Sequence, residues 1–528
     1  MRVYNINKAI GLASSGVEYA QKYRRGIFAD IAWVDDYYVF TDYMPTNLSV
    51  FSDALGFTRA QVLWIYNLVT GRETLPSALR AEGFISRIKQ PHTVSQTFPD
   101  HADVALTDAG VSYRIRMLPD PEGPAQLVDR VETLVGDQVV RVEHYDETLN
   151  NVEHFHENRL VRRVFYTPDG RVGAEQFYRD REITRTLITP ASPLYDRAVR
   201  RGRPSSFRGD VVLESRSQFF RFVFERLFSQ PDDVVIVDRA LDVIDGIYPV
   251  IGDRRLYSVV HAEHFDLKQI DDGVLLWNNH YENVFTRPDL VDGFVVSTHR
   301  QKEVLEGQLA SRRAHGRGPA GDFAVVCIPV GFVTLPAALP RYDPFAIVTA
   351  SRLADEKHID ILIRAVSAAR KVLPELRLDI YGEGNRERLL AVIEETQAQD
   401  CVRLMGHQKL DGVLGSYGLY VSASTSEGFG LSLLEAMAEG LPIVGFDIDY
   451  GNREMVESGV NGRLVRRTSE DGAFGDGDVA GIADAVVEVL TSGSLDDMRA
   501  QSLRKAEAYT AANVRKLWEH LLCEENTC

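Results

Sequence analysis

The chain has 528 residues, 45% hydrophobic and 26% charged, enough to bury several cores and to divide into about two or three domains. A formal net charge of −17 argues against a protein whose main work is gripping nucleic acid, because counterion release needs clustered Lys and Arg. Four cysteines, Cys327, Cys401, Cys523 and Cys528, are spread too thinly for a disulfide scaffold or a spaced zinc site, and Cys327 and Cys401 lie in apolar runs that read as core.

At the N-terminus, Asn5, Asn7 and Lys8 break the apolar run of MRVYNINKAIGLASSGVEYA, so it does not read as a secretory signal. No apolar run approaches the roughly 18 residues of a membrane span, and the expected location is the cytoplasm. VYNI reads as a strand, followed by a small-residue loop containing Ser14, Ser15 and Gly16 and then a helix. Such a loop lets backbone approach a ligand and offers helix N–H groups to an anion, and it serves equally well as a plain turn. From about residue 40 to 200 the segments SYRIRML, QVVRVEHY and LVRRVFYTPDGRVGAEQFYRD alternate in polarity, the last around a Pro-Asp-Gly turn, which predicts an antiparallel sheet. Near Ser215 an alternation of apolar runs and amphipathic segments resumes with SQFFRFVFERLF, DVVIVDRA, LYSVVHAEH, GFVVSTHR and AVVCIPVG. From Phe345 onward FAIVTAS, LRLDIYGEG, CVRLMGH, LYVSAST and PIVGFDI read as buried strands. The intervening IDILIRAVSAARKVLP, RERLLAVIEETQAQ, LDGVLGSYG and LSLLEAMAEG carry helical spacing. Glu470 to Asp478 reads as a surface loop, and the helical tail from Ser494 to Glu524 has no assigned packing partner.

The predicted class is α/β, with two Rossmann-like domains and an antiparallel β-sheet insertion in the first. The expected boundaries are 1–40 and 206–335 for the two parts of the N-terminal Rossmann-like domain, 41–205 for the insertion, and 336–528 for the C-terminal domain with its tail.

Ligands of open α/β sheets sit at the carboxyl ends of the strands, so the residues just after strands are the informative ones. Arg352 follows FAIVTAS, with Lys357 five residues on. Two cations in one strand-to-helix loop suit a diphosphate, or else are solvated charges pairing with Asp355 and Glu356. After LYVSAST comes STSEGFGLSLLEAM, in which seven residues separate Glu427 from Glu435. Ser426 or Thr425 is placed to cap a helix starting near Gly430, while Gly428 and Gly430 keep the turn free of side-chain clashes. Glu427 then lies in the loop and Glu435 about one turn into the helix, aimed at different hydroxylated parts of one ligand; the alternative is a solvated loop glutamate and an ordinary helix-face glutamate. His261 ends a strand and is either a cleft residue or structural. The HxxH of His261 and His264 and the pair His154 and His156 have metal-like spacing without a third ligand, so no metal site is expected. Asp447 and Asp449 form a DxD that reads as a strand terminus and helix cap.

SRLADEKHID, GEGNRERLL, the Gly406-His407 pair and SEGFGLSLLEAM, in this order and spacing, resemble the retaining GT-B glycosyltransferases of the GT4 type. More narrowly, YNINKAIGLASSGVEYAQKYR, VVHAEH, LLWNNHYENVF, VSTHRQKEVL and FDIDYGNREMVESGVNGRL, together with those segments, resemble over nearly the whole chain the GtfA subunit family of O-glycosyltransferases acting on serine-rich repeat adhesins of the accessory Sec pathway. That resemblance implies UDP contacts at Gly16, Val17, Glu18 and Tyr19, diphosphate neutralisation by Arg352 and Lys357, and uridine contacts at Gly406 and His407. It implies that Glu427 and the backbone of Gly428, Phe429, Gly430 and Leu431 hold the sugar hydroxyls, that Glu435 holds the ribose, and that His261 meets the sugar. It further implies UDP-GlcNAc as donor, no metal requirement, a GtfB-like companion subunit in a hetero-oligomer, docking of acceptor and companion on the inserted sheet, and an open question of peripheral attachment to the cytoplasmic side of the membrane. The wall teichoic acid α-glycosyltransferases, acting on polyol phosphate, are a wider resemblance, and a non-catalytic acceptor-binding subunit is the alternative from another class.

Overall fold

The structure, a computed structural model, describes residues 1–11, 16–98, 100–107, 110–120, 126–195, 209–271, 274–314, 323–468 and 474–523. The chain divides into two compact units: Met1–Arg25, Ala32–Ser258 and Asn279–Asp292 form one, and Gly26–Ile31, Val259–Asn278 and Gly293–Cys528 the other. Among the described residues no helix is long and apolar enough to cross a membrane.

In the first unit Arg2–Asn7 runs parallel between Val234–Val237 and Asp35–Phe40, with Val62–Trp64 beyond the latter and Arg255–Ser258 beyond the former. Val234 to Val237 are all fully buried, as expected of a parallel strand covered on both faces. Helix Gly16–Phe28 follows the first strand. Its Arg24 forms a buried ion pair with Asp238 at 2.7 Å, and Gln21 donates to the other oxygen of Asp238 at 2.8 Å. One carboxylate just past a strand thus holds the helix against the carboxyl end of the sheet. The pairing satisfies a charge that would be costly to bury alone.

Ten strands from His92–Thr97 to Val211–Leu213 form an antiparallel sheet in which each strand pairs with its neighbours in sequence. The predicted segments lie in Val111–Pro119, Gln138–Tyr145, Arg159–Tyr166 and Val172–Arg179. The last two pair across the Pro-Asp-Gly turn, which closes through a Gly170 N–H donated to the Thr167 carbonyl at 2.9 Å, with Gly170 at φ +80°.

The second unit contains a six-stranded parallel sheet. Its spatial order is Val402–Gly406, Arg377–Tyr381, Asp343–Ala350, Tyr417–Ser422, Ile443–Phe446, Gly462–Val465. Numbered along the chain this is 3-2-1-4-5-6, the doubly wound order. Alternation assigns the faces. Ile347, Leu378, Leu419 and Val444 pack beneath helices Ile359–Ala369, Arg386–Glu395 and Asp476–Thr491. Ala346, Val348, Tyr420 and Ile443 pack beneath helix Leu431–Ala438. Gly293–Val296 and Ala324–Cys327 pair in parallel.

Four expectations change. LDGVLGSYG is not a helix: only a 3₁₀ turn forms, over Leu414–Ser416, and Tyr417 already opens the next strand. Two of its glycines serve packing, since a Cβ would stand 2.5 Å from the Pro340 side chain at Gly415 and 2.5 Å from the Pro344 carbonyl oxygen at Gly418. Residues 470–473 lie outside the described residues, and the end of that expected loop is helical. Helix Asp476–Thr491 starts at Gly475, whose N–H donates to the Asp478 carboxylate at 3.1 Å. The tail forms two helices, Leu495–Ala506 and Ala511–Leu522. The first is fixed by fully buried Arg499, which donates to the carbonyls of Tyr417 and Gly415 at 2.7 and 3.0 Å. Cys401 is core, whereas Cys327 is half-buried, its thiol pushed up to about 12 mainly by desolvation. Cys528 lies outside the described residues.

Candidate active site

The strand order of the second unit reverses between Asp343–Ala350 and Tyr417–Ser422, and ligands of doubly wound sheets bind at the carboxyl ends of such a pair. Two loops leave these ends: residues 351–358, carrying Arg352 and Lys357, and residues 423–430, carrying Glu427.

The first loop is clamped by the turn after Arg377–Tyr381. Leu353 donates its N–H to the Glu383 carbonyl at 2.8 Å, and Ser351 donates to Tyr381 at 3.0 Å. Gly382 (φ +137°) and Gly384 (φ +144°) lie so close that a Cβ would stand 1.8 Å from the Ser351 carbonyl oxygen and 2.6 Å from that of Leu353. This crossing accounts for the glycines of GEGNRERLL. His358 ends the loop in the left-handed region, φ +44°, and its Nε2 lies 3.5 Å from the Thr425 hydroxyl on the second loop.

The two loops also meet through charge. Lys357 Nζ donates to Glu427 Oε1 at 2.5 Å, with both side chains about five-sixths buried. Arg352 turns instead to Glu356 at 2.9 Å and is three-quarters exposed, the arrangement of a solvated loop charge. The structure therefore pairs one of the two predicted cations with the predicted carboxylate and leaves the other on the surface. Asp355 is taken by Arg388.

Backbone approach holds the second loop from two sides. A Cβ on Gly428 would stand 2.4 Å from the His261 carbonyl oxygen, and one on Gly451 would stand 2.4 Å from that of Phe429. Gly451 also donates its N–H to the Glu427 carbonyl at 3.0 Å. The helix Leu431–Ala438 begins at Gly430, φ +82°, without a side-chain cap. This corrects the expected capping by Ser426 or Thr425, because those hydroxyls are directed to Glu263 at 3.4 Å and to His358. Glu427 is thus in the loop, and Glu435, half-buried, rides the first full turn of the helix. Phe429 is buried and Leu431 half-buried. Tyr420, unremarked in the sequence, donates from its hydroxyl to the Ala350 carbonyl at 2.9 Å and lies 3.0 Å from the Ser432 hydroxyl, locking the start of this helix to the first strand.

Gly406, φ +73°, ends its strand and accepts from the Gly382 N–H at 2.9 Å; His407 follows, exposed. In the first unit, Gly16 opens its helix with nothing within 4 Å of a Cβ, Val17 and Glu18 are buried, and Tyr19 is 38% exposed. Ser14 and Ser15 lie outside the described residues.

Of the histidines with metal-like spacing, His264 has a packing role. His264 is fully buried against Phe265, Trp277 and Tyr450, with Nε2 2.8 Å from the Gln308 amide oxygen, and burial lowers its pKa to about 4. His154 and His156 gain no third ligand among the described residues. The carboxylates of Asp447 and Asp449 do not cap a helix; Arg453 pairs with both, and Arg300 lies 3.3 Å from Asp449. Ion pairing, with two arginines around two carboxylates, accounts for this DxD. His299, Cys327 and Glu454 do come together, but both oxygens of Glu454 are occupied by the His299 N–H at 3.0 Å and its ring nitrogen at 2.8 Å.

Residues 344–492 match the family described as glycosyl transferases group 1. Over 527 residues, 98% of each chain, this sequence is 33% identical to a UDP-N-acetylglucosamine–peptide N-acetylglucosaminyltransferase GtfA subunit of Streptococcus pneumoniae. The chain belongs to the GtfA subunit family. The crystal structure of the pneumococcal O-GlcNAc transferase GtfA in complex with UDP and GlcNAc is similar with a TM-score of 0.85 at 32% identity, covering 99% of this chain and 98% of that one. A chain from the crystal structure of a GtfA/B complex gives 0.85 at 31% identity, covering 99% of each. The fold of this family member is accordingly GT-B, with an antiparallel sheet inserted in the N-terminal half.

Proposed function

We propose that this family member is a retaining glycosyltransferase that moves N-acetylglucosamine from UDP-GlcNAc to Ser and Thr hydroxyls of a serine-rich repeat protein in the cytoplasm, before export. It is the catalytic member of a complex with a GtfB companion. The observation that carries this reading is the Lys357–Glu427 pair at the switch point of the C-terminal sheet, in a chain with near full-length similarity to GtfA subunits.

In this reading Lys357, joined by Arg352, neutralises the diphosphate, and the charge that grows on the departing UDP meets cations already in place. Glu427 exchanges Lys357 for hydroxyls of the sugar, supported by the backbone of Gly428 to Leu431 and by His261. Glu435 accepts from the ribose, and Gly406 and His407 flank the uridine. The C1–phosphate oxygen bond breaks, the acceptor hydroxyl oxygen bonds to C1 on the same face, and its proton passes to the leaving phosphate oxygen. Glu427 positions the sugar and does not attack it.

The deciding experiment is a panel of UDP-sugars against a serine-rich peptide, with and without the companion. GlcNAc transfer as the α-anomer is expected; transfer only to a polyol phosphate polymer, or no transfer from any donor, overturns the reading. With cations rather than a metal on the diphosphate, and with Asp447 and Asp449 committed to Arg453, activity is expected to survive EDTA. Activity lost in chelator and restored by magnesium would refute the two-cation account.

A further inference from the structure

The segment that begins at His261 packs on the loop of Glu427, and it brings a second carboxylate with it. Glu263 lies two residues past the carbonyl that meets Gly428, and its Oε2 stands 3.4 Å from the hydroxyl of Ser426, the residue before Glu427. Its backbone is fixed, since the Asn278 amide donates to the Glu263 carbonyl at 3.0 Å. No cation among the described residues pairs with its side chain. The nearby arginines are committed elsewhere, Arg453 to Asp447 and Asp449 and Arg300 to Asp449. Glu427 by contrast already has Lys357.

A half-buried carboxylate with one long hydrogen bond is poorly compensated for the water it has lost. Burial raises its pKa above the ordinary glutamate value, and the charges of Asp266 and Asp449 add to that. A surface carboxylate would relax into solvent, and a structural one would hold an arginine. A carboxylate kept short of partners beside a sugar-positioning loop is suited to accepting hydrogen bonds from hydroxyls.

We infer that Glu263 is a donor-sugar contact, accepting from a hydroxyl of the pyranose from the side opposite Glu427. This rests on the transferase reading above. It places specificity in the sugar half of the donor and not in the nucleotide half, because the diphosphate cations stand on the other loop.

The test is calorimetric titration of wild-type, Glu263→Gln and Glu263→Ala proteins with UDP and, separately, with UDP-GlcNAc. A hydrogen bond to a charged group supports an expected loss of about tenfold to a hundredfold in UDP-GlcNAc affinity, with UDP affinity unchanged. Unchanged UDP binding also reports that the variants are folded. Retention of wild-type affinity for both ligands in both variants overturns this inference alone. An equal loss for UDP and UDP-GlcNAc overturns it in favour of a purely structural role through Ser426. A wild-type protein that binds neither overturns the transferase reading and this inference together.

Discussion

Lys357→Met is expected to lower kcat by about two to three orders of magnitude, a loss of roughly 3–4 kcal/mol in transition-state stabilisation. The size follows from placement. Lys357 is about five-sixths buried, so its charge acts through a medium that screens it far less than water does, and it is already aimed at the loop where the sugar is proposed to sit. Arg352 is three-quarters exposed and held only by Glu356, so Arg352→Ala should cost distinctly less. The comparison isolates burial, because both residues carry one positive charge on the same loop. Steady-state kinetics with varied UDP-GlcNAc gives kcat and KM for each variant. A Lys357→Met enzyme within a few-fold of wild type, or an Arg352→Ala loss as large as that of Lys357→Met, would refute the assignment of the main electrostatic role to Lys357.

The pairing behind that prediction is a contact between residues 70 apart, and this separates what the sequence discloses from what it does not. Strands such as Val234–Val237 and Asp343–Ala350 declare themselves as apolar runs because parallel strands are buried on both faces. Spacing also places Glu427 in a loop and Glu435 one turn into a helix, since the glycines between them mark where the turn must be. Spacing does not show that Lys357 and Glu427 neutralise each other while Arg352 turns away, because side-chain pairing is decided by the crossing of two loops. The same limit governs LDGVLGSYG, whose apolar period fits a helix. Gly418 is there so that its strand can approach Pro344, and nothing local in the sequence carries that requirement. Asp447 and Asp449 read along the chain as a strand terminus and helix cap, and only the fold shows that Arg453, one helical turn past Asp449, claims both. Glu263 is silent in sequence for the opposite reason, since its distinguishing property is a shortage of partners.

Gly428→Ala is expected to damage the candidate site through a single added methyl group. The added Cβ would stand 2.4 Å from the His261 carbonyl oxygen and 3.3 Å from the Ala262 Cα, so backbone and not a flexible side chain must yield. The loop has no easy retreat, because on its other side Gly451 lies against the Phe429 carbonyl and donates to that of Glu427. Overpacking of this kind costs about 1–3 kcal/mol of stability, read as a lower denaturation midpoint. Activity should suffer more than stability. A displacement of the order of 1 Å in a positioning group costs about a hundredfold in rate, and the methyl group forces a shift of that size on the loop that carries Glu427. Gly307→Ala is the matched control: it lies inside helix His299–Ala314 with nothing within 4 Å of a Cβ, and it should stabilise by roughly 0.5–1 kcal/mol without changing kcat/KM. If Gly428→Ala retains wild-type kcat/KM, the close backbone approach does not set the position of Glu427. If it loses stability and activity in proportion, the loss is one of folding. A hundredfold fall in kcat/KM in protein still folded at the assay temperature is the result that ties catalysis to the contact between Gly428 and the segment of His261.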